Sequence, residues 1–85
     1  MMLIVENLHP SSTSTELLDL FTRFGKVLWS RLILDRNGHA KAFGYVEMAS
    51  EADAAKAVDG LDGTMVCDQI IQVALTSDLI QRRAH

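Results

Sequence analysis

Three residues of this 85-residue chain have the types and spacing of a contact surface: Lys41, Phe43 and Tyr45. They sit in Lys41-Ala42-Phe43-Gly44-Tyr45-Val46-Glu47-Met48. The two-residue alternation of an extended strand sends Lys41, Phe43, Tyr45 and Glu47 to one face and Gly44, Val46 and Met48 to the other. Valine and methionine suit a core, so two rings and a cation are left for the open side. Such a face supports non-covalent contact. Covalent chemistry lacks its parts: there is no nucleophile with an adjacent base, no paired acids on a loop, and no phosphate-cradling glycine loop. The chain is therefore not expected to be an enzyme, and no cofactor is expected. Cys67 is the only cysteine, which excludes an intramolecular disulfide and a multi-cysteine metal site, and it is read as a buried structural thiol. His9, His39 and His85 share no i, i+4 spacing and argue for no metal site.

The composition is that of one globular domain, with 48% hydrophobic and 22% charged residues. No stretch reaches the roughly 18 uncharged apolar residues of a membrane span. Met1 to Asn7 has no basic segment and carries Glu6, so it does not read as a secretory signal. The expected location is intracellular, nucleus and cytoplasm being indistinguishable, with no membrane partner.

The elements that must position the aromatic pair follow from punctuation and periodicity. Met2 to Glu6 is a short apolar run ended by Asn7 and His9-Pro10, the pattern of a strand entering a loop. Thr13 and Glu16 have capping-box spacing before Leu17, Leu20, Phe21 and Phe24, which predicts an amphipathic helix ended by Gly25. Lys26 to Leu34 reads as a strand running into Asn37-Gly38, a hairpin signal, with Lys41 to Met48 returning. Ser50 and Asp53 open a second helix through Ala54, Ala57, Val58 and Leu61, with Gly60 and Gly63 marking its exit. Ile70 to Leu75 alternates as a last strand, and Ser77 to Ala84 reads as one or two turns of terminal helix. The order strand, helix, strand, strand, helix, strand is an α+β, ferredoxin-like βαββαβ sandwich: a four-stranded antiparallel sheet with both helices on one face. Residues 2–76 form the single domain, and 77–85 a C-terminal tail or short helix.

At this point the sequence resembles the RNA-recognition motif family. Lys41 to Met48 matches the family octamer at the basic position, both outward aromatics, the small residue and the valine, and departs at Ala42 and Met48. Leu3-Ile4-Val5-Glu6-Asn7-Leu8 resembles the family hexamer of the first strand. There Ile4 stands where RNA-binding members usually present a ring. Leu17 to Gly25 and Ala57 to Gly63 also look like the family's helix and loop patterns, so the resemblance runs from about Met2 to Ala74.

The resemblance implies single-stranded RNA binding on the open sheet face, with bases stacked on Phe43 and Tyr45 and phosphates met by Lys41 and Arg31. Single-stranded DNA would stack in the same way. The family layout also puts Trp29, Arg31 and Ile33 outward, which requires a bulge between Val27 and Trp29. Ile70, Gln72 and Ala74 take the open side of the last strand, with Ile71 and Val73 in the core. On that layout Trp29 is a ligand contact that supplies the ring Ile4 lacks, or a hairpin side chain folded onto its own helix.

Charge divides by face. The total is −3, from 8 basic and 11 acidic residues, and weighs against tight RNA binding. Yet Glu16, Asp19, Glu51, Asp53, Asp59 and Asp62 are expected on the helix side, away from the ligand, whereas Arg31, Arg36 and Lys41 gather on the open face and its hairpin. Ile4, Ile33 and Ile70 make that face apolar for a surface meeting only water. The alternative function is therefore a protein–protein interaction module of the same fold, its sheet covered by a partner, a second copy, or the segment from Asp78 to Ala84.

Overall fold

Hydroxyl caps start both helices. The Thr13 hydroxyl accepts from the Glu16 N–H at 3.2 Å, opening α1 (Ser14–Thr22). The Ser50 hydroxyl accepts from the Asp53 N–H at 3.3 Å, opening α2 (Glu51–Leu61). Each cap satisfies a backbone donor that the helix itself leaves free, and is worth about 1 kcal/mol. The computed structural model describes residues 1–35 and 41–77, the side chains of Asp35 and Lys41 excepted.

Strands β1 (Met2–Leu8), β2 (Val27–Asp35), β3 (Lys41–Met48), β4 (Met65–Val66), β5 (Gln69–Ile70) and β6 (Gln72–Leu75) complete the chain. Four of them form one antiparallel sheet in the order β2-β3-β1-β6. The fold is the expected ferredoxin-like sandwich. Its core lies on one side of the sheet, where Leu3, Val5, Val46, Met48, Ile71 and Val73 meet Leu17 and Phe21 of α1 and Ala54, Ala57 and Leu61 of α2. All of these are buried. Gly44 lets α1 approach, because a Cβ there would lie 2.7 Å from Leu17 Cδ2 and 2.9 Å from the Arg31 carbonyl oxygen.

The structure departs from the sequence pattern in four places. The last strand is broken: Gln69–Ile70 pairs with Met65–Val66 in a separate two-stranded ribbon, and only Gln72–Leu75 joins the main sheet. Cys67 and Asp68 close that ribbon with φ of 50° and 66°, the left-handed pair that a two-residue hairpin turn requires. Cys67 is consequently exposed, not buried. Gly60 does not end α2, which continues to bury Leu61. Its missing Cβ instead makes room for Phe24, whose Cζ would be 2.6 Å away, and Gly63, with φ of 78°, marks the true exit. Finally, β1 runs past Asn7 to Leu8. The Asn37-Gly38 turn and most of the terminal helix lie outside the described residues, although Thr76 and Ser77 are helical.

Candidate nucleic-acid interface

The face of the sheet opposite the helices carries Phe43 and Tyr45, and strand register fixes their neighbours. Phe43 and Tyr45 are half-buried, with ring centroids 6.1 Å apart and planes at 82°. That edge-to-face contact holds both rings in place and is worth about 0.5–1.5 kcal/mol beyond area burial. On β2, Ile33 lies opposite Phe43, Arg31 opposite Tyr45 and Trp29 opposite Glu47. On the other flank Ile4 of β1 lies opposite Tyr45, and Ala74 of β6 lies opposite Ile4.

The bulge demanded by the family layout is present between Val27 and Trp29. It leaves Leu28 exposed at 54% and restores the alternation, so that Trp29, Arg31 and Ile33 share a face while Val27 and Leu32 pack against the core. Trp29 is 47% exposed and stays out of the core. Because β3 separates β2 from β1, Trp29 extends the aromatic surface toward the β2 edge and does not fill the place of a ring at Ile4.

Ile70 belongs to the β4–β5 ribbon, where it pairs with Met65, and so is not part of the main sheet face. Gln72 is exposed and opposite Glu6. The backbone of Lys41 pairs with Asp35 at the hairpin end of β3. Ala42 is buried, opposite Leu8 and Leu34, rather than beside the ligand face.

A second bulge lies in β1, between Val5 and Leu8. Asn7 adopts φ of 65° there, Leu8 returns to the core, and Glu6 and Asn7 lie across from Phe43 in the strand register. Side-chain hydrogen bonds between β1 and the β4–β5 ribbon tie the bulge down. Asn7 Nδ2 donates to the Ile70 carbonyl at 2.8 Å, and Gln69 Nε2 reaches the Asn7 and Leu8 carbonyls at 3.3 and 3.4 Å. A groove of about 670 Å³ results, lined by Ile4, Glu6, Asn7, Phe43, Gln69 and Gln72 among others. Asn7 and Gln69 were not singled out by the sequence. Asn7 carried a signal, as an asparagine at a strand end; Gln69 carried none.

Acidity comes nearer the face than the helix-side expectation allowed. Asp59 and Asp62, at the end of α2, line a groove of about 570 Å³ at the β6 edge together with Ile4, Glu6 and Gln72. Among the described residues no group of His, Cys, Asp and Glu could hold a metal ion, and no helix is long and apolar enough to cross a membrane.

An antiparallel βαββαβ sandwich with paired rings on its open face defines a class, and comparison places the chain within it. The family model described as RNA recognition motif matches residues 3–72, and the chain belongs to that family. It is 37% identical over 71 residues to the polyadenylate-binding protein, cytoplasmic and nuclear, of Eremothecium gossypii, a match covering 84% of this chain and 12% of the relative. The chain thus spans roughly an eighth of the length of the curated relatives it matches first. Among solved structures, RNA recognition domains 1 and 2 of Sex-lethal from Drosophila melanogaster superpose with a TM-score of 0.78 at 29% identity, covering 87% of this chain and 48% of that one. A Sex-lethal protein/RNA complex matches with the same TM-score at 28% identity, covering 87% of this chain and 45% of that one.

Proposed function

We propose that the chain binds a few nucleotides of single-stranded RNA on the open sheet face. Bases stack on Phe43 and Tyr45, and Arg31 and Lys41 meet phosphates. The observation that carries the reading is the pair of mutually braced, half-buried rings at the centre of a face with no helix over it among the described residues. Family membership and the RNA held by the similar Sex-lethal complex support it. Stacking is sequence-tolerant because every base has a π-face, so single-stranded DNA would engage the same rings. Trp29, Ile33, Ile4 and Gln72 form the margins of the site. The binding unit is residues 2–76, with 77–85 as a tail.

Ile4 favours a second reading, a protein-interaction face. It lies between Tyr45 and Ala74, where a ring would otherwise widen the stacking surface. One NMR titration separates the two. Mixed-sequence single-stranded RNA is added at low salt while backbone amide shifts are followed. RNA binding predicts movement at Phe43, Tyr45, Arg31 and Lys41; no movement at millimolar RNA rejects it and leaves the protein-interaction face, which sedimentation over a concentration series then tests for self-association.

A further inference from the structure

The groove beside Phe43 has a hydrogen-bonding character that stacking alone does not explain. Glu6 and Asn7 lie across from Phe43 in the strand register, because two residues of β1 occupy the space between the Val5–Gly44 and Leu8–Ala42 pairs. Glu6 is exposed and lines the groove. A carboxylate accepts hydrogen bonds and donates none. Asn7 and Gln69 line the same groove, and both turn their amide nitrogens toward main-chain carbonyls. Carbonyl partners fix which end of each amide is nitrogen, which leaves both side-chain oxygens as acceptors for a ligand. The groove therefore presents acceptors with a negative charge among them, beside the amide of Gln72, which donates as well as accepts.

Resting on the RNA reading of this face, the geometry points to guanine as the base selected in this groove, with Glu6 as the specificity-determining residue. Guanine presents two adjacent donors on its Watson–Crick edge, N1–H and the 2-amino group, which match the two oxygens of one carboxylate. Adenine and cytosine each offer a single amino group beside an acceptor nitrogen. Uracil offers one N–H between two carbonyls, both of which the carboxylate repels. A good bidentate pair discriminates by about 10-fold or more against a wrong base. The same charge also repels every phosphate that passes it, whatever the sequence. Glu6 thus favours one base while opposing the backbone, and the two effects have opposite signs in a variant.

The test uses fluorescence anisotropy with labelled uridine octamers, one unsubstituted and others carrying a single central guanosine, inosine, adenosine or cytidine. The wild-type chain should bind the guanosine octamer about 10-fold more tightly than the all-uridine one, with inosine, which lacks the 2-amino group, in between. Glu6→Gln should lose most of that preference and yet bind the all-uridine octamer about twofold more tightly, through lost repulsion. Equal binding of all octamers by the wild type overturns the guanine assignment alone. A Glu6→Gln change that strengthens every octamer equally overturns it too, since the carboxylate then acts only as a charge. Failure of every octamer to bind removes the RNA reading itself.

Discussion

Replacing Phe43 with alanine separates a ring that binds from a ring that merely packs. Phe43 is half-buried, lies opposite Ile33 and meets Tyr45 edge-on at 6.1 Å. Losing the ring pair costs about 0.5–1.5 kcal/mol. Half of a phenylalanine's burial adds about 1 kcal/mol more. The expected loss is therefore about 2 kcal/mol, or roughly 8–16 °C in Tm at 4–8 °C per kcal/mol for a domain of this size. Phe21, fully buried under the sheet, is the internal standard, and Phe21→Ala should cost about 3–5 kcal/mol. Affinity for single-stranded RNA should fall with Phe43→Ala by the worth of one stacked base, about 1–3 kcal/mol, which is roughly 5- to 150-fold. Urea unfolding followed by tryptophan fluorescence measures the first quantity, and anisotropy of a labelled oligonucleotide at a temperature where the variant is folded measures the second. A Phe43→Ala protein as unstable as Phe21→Ala would refute the account of the ring as a surface group. A stable variant whose affinity changes by less than about threefold would refute stacking on it.

Three other substitutions test the scaffold, and a chemical reaction tests its exposed thiol. Gly44→Ala forces a methyl against Leu17 and the Arg31 carbonyl, and should lower unfolding free energy by about 1–3 kcal/mol in a urea titration. Asp62→Ala removes the carboxylate oxygen that accepts the Val73 N–H at 2.9 Å and should cost about 1–2 kcal/mol; Asp62→Asn, which keeps that oxygen, should recover most of it. Cys67 should react with a disulfide reagent in the folded protein as fast as in urea, whereas slow reaction in the native state would contradict its exposure.

The open face was legible because period-two alternation needs no tertiary information. Once Val46 and Met48 are inward, Phe43 and Tyr45 have nowhere else to go. The helix starts were legible for a similar reason, since Thr13 and Ser50 act within three residues of themselves. What the pattern missed depends on backbone sign. Ile70 was expected on the sheet because Ile70 to Leu75 alternates without interruption, but the chain reverses at Cys67-Asp68, residues that carry none of the usual Asn-Gly signal for a left-handed pair. Gly60 looked like a helix stop and is a packing site for Phe24, a distinction made by a residue far away in sequence. Cys67 was expected inside on residue type alone, and its position in the turn overrides that preference. The groove beside Phe43 depends on Asn7, whose left-handed conformation accompanies the extra residue that returns Leu8 to the core.

Asp62 has a consequence for what the sheet can join. An open antiparallel sheet ends in rows of unused backbone donors and acceptors, which invite another strand to add on. In this chain β6 is short, and the Asp62 carboxylate already occupies the Val73 N–H that points off its outer side. At the opposite margin, the bulge at Leu28 interrupts the regular spacing of β2. An incoming strand thus meets a plugged socket on one border and a broken ladder on the other. Growth by edge addition, the first step toward fibrous association, is disfavoured, and a ligand approaching the sheet is directed to its broad surface.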